Sequence, residues 1–409
     1  MPVINGDRLV GDLEALRTFG RCGNGVIRQS LSEVDMESRR WLVERMADAG
    51  LDAGIDGVGT VFGRSRNPGK ALLVGSHTDT QPTGGWLDGT LGVMYGLETV
   101  RAFAESRETR DLAVDVASWI DEEGTFFGLL GSKMFCDLVG EEDLDGASNA
   151  SGTTLRAALR DAGLEGRPLE RCIPGRYRAY MEAHIEQGPW LEEEMRRIGV
   201  VTGIVGIRDV SVVFEGQQNH AGTTPMARRR DAGAVLVAFA TRVHEVFAAH
   251  AGPRSVWTIG DIRLEPGAAS IIPGRAWLSL QYRDADEARM DRFGDLVADL
   301  VRECNACGPV AVSMEPTKDR TAAALMDADL QRYLEAAAER HAPGAWMPMP
   351  SAAVHDAQNL ARILPSAMLF VPSRGGISHA FEEDTSREDI VLGCQVFADA
   401  IASVLLEET

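Results

Sequence analysis

Positive charge is scarce in this 409-residue chain: 41 lysines and arginines face 61 aspartates and glutamates, a net charge of −20. A phosphate backbone demands a basic face, so nucleic acid is excluded as a partner. A local cluster such as Arg228, Arg229 and Arg230 could still attract a small anion. Cysteine is sparse too. The 6 cysteines are scattered except for Cys304 and Cys307, and one CxxC without a second suggests neither a zinc ribbon nor a secreted disulfide framework. A reducing, cytoplasmic setting is expected. The opening MPVINGDRLVGDL lacks a basic start followed by an apolar core, so no signal peptide is expected. No apolar run approaches the ~20 residues of a membrane span, and the longest is placed near Ala234–Ala240. Repeats and low-complexity tracts are missing. What remains is an ordinary globular composition, 44% hydrophobic and 25% charged, with length for two domains.

The first part of the chain alternates helix and strand. Glu33–Ala49 reads as an amphipathic helix stopped by Gly50, and Leu91–Ala104 as a second helix. Ala71–Ser76, Leu112–Ile120, Ala179–Ala183 and Ala367–Val371 are short apolar runs ending in turns, as buried strands are. This alternation predicts a doubly wound α/β domain. From about Asp209 to Thr317 the pattern changes. SVVFEG alternates like a strand with one exposed face, Asp231–Ala249 is a long helix, Trp257–Arg263 and Arg275–Arg283 are strands, and Asp286–Cys304 is a helix. The order β-α-β-β-α-(β) predicts a ferredoxin-like α+β domain. It would be inserted at 209–317 into a discontinuous catalytic domain of 1–208 and 318–409.

Each of the four apolar strands runs into metal-ligating residue types. The first leads to His77 and Asp79, the second to Asp121, Glu122 and Glu123, the third to His184 and Glu186, and the fourth, through PSRGGIS, to His379. Asp88 lies on the Gly-rich loop GGWLDGTLG. Ligands of α/β sheets bind beyond the carboxyl ends of the strands, so the four clusters should meet on one rim. Three imidazoles with several carboxylates and no thiolate suit zinc or a similar divalent ion. With an aspartate as bridge they suffice for two ions, which in hydrolases sit ~3.5–4 Å apart and acidify a water. Adjacent glutamates rarely point the same way, so one of Glu122 and Glu123 can bind metal while the other serves as general base. Asp79 is placed to orient the His77 ring from behind. The remaining histidines His244, His250 and His341 fall in or beside helices and loops and receive no role.

The inserted segment carries QQNHAGTTPMARRRDA. Its glycine, threonines and proline are turn residues leading into a helix, and His220 within it is a candidate donor to a developing oxyanion. Arg283, at a strand end, has the planar fork that matches a substrate carboxylate.

Taken in order, GSHTDTQPTGGWLDGTLGV, DEEG, HIEQGPWLE, NHAGTTPMARRRDA, IIPG, HDA and PSRGGISH resemble the amidase/hydantoinase/carbamoylase branch of the aminoacylase-type zinc peptidases, over nearly the whole chain. QPTGG looks more like N-carbamoyl-L-amino-acid hydrolases and bacterial β-ureidopropionases than like allantoate amidohydrolases. The resemblance implies a carboxylate-bridged pair of divalent ions, zinc foremost and manganese, cobalt or nickel as alternatives. By position His77, Asp88, Glu123, His184 and His379 match the ligands, Asp88 the bridge and Glu122 the general base. Gln187, His220, Ser270, Arg283, Gly375 and Gly376 fall at substrate-contacting positions, and His355 lies in a motif near the site. The resemblance further implies a small ureido or amide substrate, and an inserted dimerisation and lid domain that makes the protein a homodimer.

The chain departs from that pattern at Ser270, where the family usually has asparagine; at Phe126, where it has arginine; and at Ala352 and Val354, where it has glycines. These positions leave the metal-ligating residues intact and alter the surface expected to face substrate. An N-acyl or dipeptide-like amide is the alternative substrate class.

Overall fold

The computed structural model describes residues 1–407. The chain divides into two compact units: Met1–Thr202 with Leu325–Thr409, and Gly203–Ala324. The limits 209–317 read from the sequence fall inside the second unit. Its first strand already begins at Gly206 and its last runs to Thr321, so the paired strands extend past the change in residue pattern.

The first unit is built on a mixed sheet of nine strands. Its centre is parallel, in the order Ser366–Val371, Tyr177–Ile185, Ala71–His77, Val114–Trp119. These strands are almost wholly buried, which explains why they read as continuous apolar runs rather than alternating ones. The sheet is extended by antiparallel strands. Ile198–Ile204 flanks Ser366–Val371, while Val61–Arg64 and then Asp52–Ile55 flank Val114–Trp119. The two short strands at that edge, broken by Gly54 and Gly63, are absent from the sequence reading.

Successive residues on a strand face opposite layers. Leu72, Val74, Val114 and Val116 pack into the large core that also holds the Thr90–Glu105 and Arg387–Leu406 helices. On the other face Trp119, Phe135, Tyr177 and Tyr180 form an aromatic layer with centroid separations of 5.1–6.3 Å. The sheet is therefore covered on both sides. The Arg387–Leu406 helix also corrects the membrane reading. It is a longer apolar element than the stretch near Ala234–Ala240, with length and composition enough to cross a membrane, but 67% of its most apolar window is buried in the fold. That is how a core helix reads.

In the second unit the strands Gly206–Glu215, Val256–Glu265, Arg275–Asp284 and Ala311–Thr321 form one antiparallel sheet. Counted within the unit, their spatial order is 2-3-1-4. The Ala232–Ala248 and Glu287–Cys307 helices share one core with the sheet, centred on Phe214, Phe239, Phe247 and Phe293. Each helix starts on an aspartate cap, Asp231 or Asp286, whose side chain accepts backbone N–H groups of the first turn.

Candidate active site

The carboxyl ends of the parallel strands deliver the sequence-predicted residues of the first unit to one place. His77 closes its strand with the ring buried. Its Nδ1 lies 3.0 Å from the Asp79 backbone oxygen. A carbonyl only accepts, so Nδ1 carries the proton and the bare Nε2 faces inward. His184 repeats the arrangement, with Nδ1 donating to the Ile185 carbonyl at 2.9 Å. Both Nε2 atoms look toward Asp88 Oδ1, at 3.7 Å from His77 and 3.2 Å from His184. Asp88 Oδ2 is turned to the His379 Nε2, also at 3.2 Å.

Asp88 is thus shared by two groups of donor atoms. One consists of His77, Asp88 and His184, and the other of Asp88, Glu123 and His379; within each, the donor atoms lie within 4.8 Å of one another. The His184 Nε2 accepts the Gly89 N–H at 3.1 Å, whereas the His77 Nε2 lone pair faces the carboxylate directly, acceptor against acceptor, which is unfavourable unless a cation lies between them. Asp88 Oδ2 is buried and accepts no hydrogen bond. Imidazole and carboxylate donors, with the outer nitrogens of His77 and His184 already committed to carbonyls, are what a divalent ion such as zinc requires. The residues fit such ions.

Local backbone shape explains the convergence. Gly89 follows Asp88 at φ +64°, and a Cβ there would lie 2.4 Å from the His77 ring, so no other residue fits. Asp121, Gln187 and His379 also hold positive φ, at 58°, 58° and 53°. Left-handed backbone at non-glycine residues costs roughly 1–2 kcal/mol each, and here it gathers where side chains must be aimed.

The two glutamates after the second strand go to different histidines. Glu122 Oε2 approaches His77 Nε2 at 3.7 Å, and Glu123 Oε2 approaches His379 Nε2 at 3.6 Å. Gln81 holds Glu123 in place, its Nε2 donating to Oε2 at 2.8 Å. Burial, then the neighbouring carboxylates, push the Glu122 carboxyl well above the usual range. Burial and Asp88 raise Glu123 to about 8. Burial also opposes the Asp88 carboxylate, but His184 and His379 in their protonated forms outweigh it and hold that group well below the usual range. A divalent cation would favour the ionised form of all three.

Residues 73–403 match the profile of peptidase family M20/M25/M40. The chain belongs to that family. It is 32% identical to an N-carbamoyl-L-amino-acid amidohydrolase of Paenarthrobacter aurescens, over 95% of this chain and 96% of that protein. An allantoate amidohydrolase of Bacillus subtilis is 31% identical, over 95% of each chain. Overall identity therefore does not separate these two relatives. The crystal structure of a hydantoinase/carbamoylase family amidase from Burkholderia phymatum superposes with a TM-score of 0.94 at 52% identity, covering 99% of this chain and 98% of that one. M20 enzymes are metal-dependent hydrolases, and the paired donor groups around Asp88 are this member's candidate centre.

Other expected residues of this M20 member take different parts. The Asp79 carboxylate does not bond the His77 ring: its Oδ1 stays 3.7 Å from Nδ1. Its Oδ2 instead accepts from Ser30 Oγ at 2.9 Å and the Glu123 N–H at 3.2 Å. Glu186 caps a short helix through the Trp190 and Leu191 N–H groups, at 2.8 Å each. Gln187 Nε2 lies 3.2 Å from Asp88 Oδ1 and from Ser378 Oγ. The Gly375 N–H donates to Glu192, and Gly376 packs against Pro189 where a Cβ would meet backbone at 2.9 Å. His355 is buried edge-on to His184, with centroids 4.6 Å apart, and bonds Ser351 Oγ.

Glu383 is a residue the sequence reading missed. Its Oε1 accepts the Leu87 and Asp88 N–H groups at 3.1 and 3.0 Å, and its Oε2 accepts from Ser378 Oγ at 2.8 Å. It ties the Asp88 loop to the His379 loop. In the string HAFEEDT it is one acid among three, and no pattern marks it.

In the second unit His220 ends the two-residue strand Asn219–His220, and the loop after it folds around Arg229, whose guanidinium donates to the Ala221 and Thr224 carbonyls. The His220 Nδ1 accepts the Gly222 N–H at 2.9 Å and the Thr223 N–H at 3.2 Å. The proton of the neutral ring is therefore on Nε2, leaving an outward donor. The Ser270 carbonyl accepts the Ala221 N–H at 3.0 Å, next to the His220–Ile271 pairing. Arg283 Nε and Nη2 both donate to Gln281 Oε1, at 3.0 and 2.8 Å. That orients the guanidinium along the strand end.

Proposed function

We propose that this protein hydrolyses the ureido C–N bond of N-carbamoyl-L-amino acids or N-carbamoyl-β-alanine, yielding the amino acid, ammonia and carbon dioxide. The observation that supports it most is the Asp88 carboxylate shared by two inward-facing donor groups. The names of relatives that cleave carbamoyl and ureido compounds point the same way.

In this reading His77, Asp88, Glu123, His184 and His379 would hold two divalent ions, Asp88 being common to both donor groups. Zinc suits the donors best, with manganese, cobalt or nickel as alternatives. Bound ions would polarise the substrate carbonyl and lower the pKa of a water from ~15.7 toward ~7. Glu122, raised by burial and near His77, takes a proton from the attacking water and returns it to the leaving nitrogen. His220, with its Nδ1 engaged by backbone N–H groups, offers its Nε2–H to the oxyanion. Arg283 pairs with the substrate carboxylate, while Ser270, Gln187, Gly375 and Gly376 complete the binding surface. Asp79 acts by fixing the Glu122–Glu123 turn through the Glu123 N–H.

The second unit serves as a ferredoxin-like dimerisation and lid domain, and the protein works as a cytoplasmic homodimer. Its edge strand Val256–Glu265 supports this: it exposes Val256, Ile262 and Leu264, and the Ala232–Ala248 helix exposes Val237 at 64%. All six cysteines are unpaired, in keeping with a reducing compartment.

The test is ammonia release by metal-reconstituted protein from N-carbamoyl-L-amino acids and N-carbamoyl-β-alanine. Sustained release from at least one supports the reading. Absence of release from every member of the panel overturns it.

A further inference from the structure

The helix Glu33–Asp48 buries two charged side chains, Asp35 and Arg39, and the segment before it buries a third, Arg28. Asp79 is the fourth charge of this set, and all four are wholly enclosed. Two are positive and two negative, so within the set they cancel. Arg39 Nε donates to Asp35 Oδ2 at 2.9 Å, and Arg39 Nη2 lies 3.9 Å from Asp79 Oδ1. Burial pushes the Arg28 guanidinium down to about 10, against the pull of Asp35 and Asp79.

Such burial is a poor route to stability. Arg28 Nη2, Asp35 Oδ1, Arg39 Nη2 and Asp79 Oδ1 take part in no hydrogen bond, and apolar side chains of similar volume often stabilise a core as well as a buried ion pair does, or better. The set is placed, however, where it grips the candidate centre. Arg28 Nε donates at 2.7 Å to the carbonyl of Thr78, the residue between His77 and Asp79. Its Nη1 donates to the Leu16 and Phe19 carbonyls at 2.8 and 3.0 Å. Arg39 Nη1 donates to the Gly59 and Ser118 carbonyls at 3.1 and 3.3 Å, and Ser118 lies in the strand Val114–Trp119 that leads to Glu122 and Glu123. One guanidinium thus holds that strand through Nη1 and faces Asp79 through Nη2. Asp79 in turn receives Ser30 Oγ and the Glu123 N–H on its other oxygen.

We propose that Arg39 is a positioning residue for the candidate centre: it holds Asp79 by one oxygen so that the other fixes the Glu122–Glu123 turn. This rests on the hydrolytic reading above, in which Glu122 is the base and Glu123 a metal ligand. The planar fork of arginine addresses Asp35, a strand carbonyl and Asp79 in fixed directions at once, which an ammonium does not. The 3.9 Å separation from Asp79 is long for an ion pair, but both partners are buried, where charge is little screened.

The experiment uses variants that keep the set in balance. Arg39→Met alone leaves two acids against Arg28, and breaking a buried pair is strongly destabilising. Asp35→Asn/Arg39→Met removes one charge of each sign and keeps an oxygen for the Leu31 N–H, which Asp35 Oδ2 accepts at 2.9 Å. Arg39→Met/Asp79→Asn is balanced too. Melting temperature, kcat and KM are measured on the best ureido or amide substrate for these, for Asp79→Asn and for wild type. Asp35→Asn/Arg39→Met should melt above Arg39→Met, yet lose about 10–100-fold in kcat with KM within about twofold of wild type. Arg39→Met/Asp79→Asn should match the kcat of Asp79→Asn within about twofold, because the two residues act in one chain. A kcat that recovers together with stability overturns the proposal, as does a multiplied loss when Arg39→Met is added to Asp79→Asn. Failure of either balanced variant to fold assigns Arg39 to the fold alone and equally overturns it. If wild type cleaves no ureide or amide, the hydrolytic reading falls and zinc titration calorimetry decides. Glu123 belongs to one donor group only, so Asp35→Asn/Arg39→Met should weaken one zinc ion severalfold and spare the other. Isotherms indistinguishable from wild type reject the role of Arg39.

Discussion

The backbone carbonyl of Asp79, 3.0 Å from Nδ1, orients the His77 imidazole, while the carboxylate of the same residue stands 3.7 Å away. One residue thus separates two tasks: its peptide fixes a ring, and its side chain receives Ser30 and the Glu123 N–H. Asp79→Asn keeps the carbonyl. We therefore expect metal affinity to change less than the ~10–100-fold typical for an outer partner of a ligand, and kcat to fall further. Metal titration alongside steady-state kinetics checks this; a loss of affinity larger than the loss of kcat contradicts it.

Glu122→Gln keeps the shape of the side chain and removes the base. Turnover should drop by about 10²–10⁴-fold with metal content and melting temperature little changed. Elemental analysis of the purified variant, run with the ammonia assay, decides the matter. Near-normal activity would remove Glu122 from the mechanism.

Asp88 belongs to both donor groups, whereas His379 belongs to one. Asp88→Ala should abolish tight binding of both ions, and His379→Ala should spare one. Bound ligand stabilises by mass action, so a chelator should lower the melting temperature of wild type and leave Asp88→Ala unmoved. Equal metal content in the two variants would argue against a shared carboxylate.

His220→Ala removes the Nε2–H donor, and loss of one such donor costs about 10²–10³ in kcat. Because Nδ1 is engaged by the Gly222 and Thr223 N–H groups, His220→Asn should recover little of the lost rate. Its shorter amide cannot meet those groups and reach outward together. An unchanged kcat in His220→Ala would show that His220 takes no part.

Asp284 gives a pH signature outside the centre. Burial alone would raise its pKa, but Ser255, Arg289 and the Asp286 N–H outweigh it and hold the carboxyl below its usual 3.8. A depressed folded-state pKa stabilises fully above the unfolded value, and the benefit is lost as pH falls through the folded value. Asp284→Asn should cost roughly 1–3 kcal/mol near neutrality, with the gap from wild type narrowing as pH falls below the usual 3.8. Urea unfolding midpoints at pH 7 and pH 3 test it; a gap independent of pH refutes the assignment.

The central strands are legible in the sequence because each is buried on both faces, and three of the four run directly into a histidine or an acid. That pairing of an apolar run with metal-ligating residues also marks the candidate centre. The edge strands Asp52–Ile55 and Val61–Arg64 are short and interrupted by glycine, so periodicity says little about them. Arg28, Asp35 and Arg39 are wholly buried, against the strong tendency of charged residues to lie outside; nothing local marks such burial. The Asp79 carbonyl is beyond any sequence reading, since every residue has one. The Glu383 contacts depend on segments far apart in the chain, and only the fold brings them together.

The Ser366–Val371 strand lies in register between Tyr177–Ile185 and Ile198–Ile204, although the whole second unit is translated after those two strands and before it. During synthesis the central sheet must wait with a vacant slot, its neighbouring edges unpaired while the insertion emerges. At ~5–20 residues per second this lasts on the order of ten seconds or more. Exposed strand edges invite wrong partners. The nascent chain is therefore most vulnerable to misassembly in that interval, and truncations or ribosome stalls between Ile204 and Ser366 should yield aggregating chains, with the His77 and His184 strands made but the sheet unclosed.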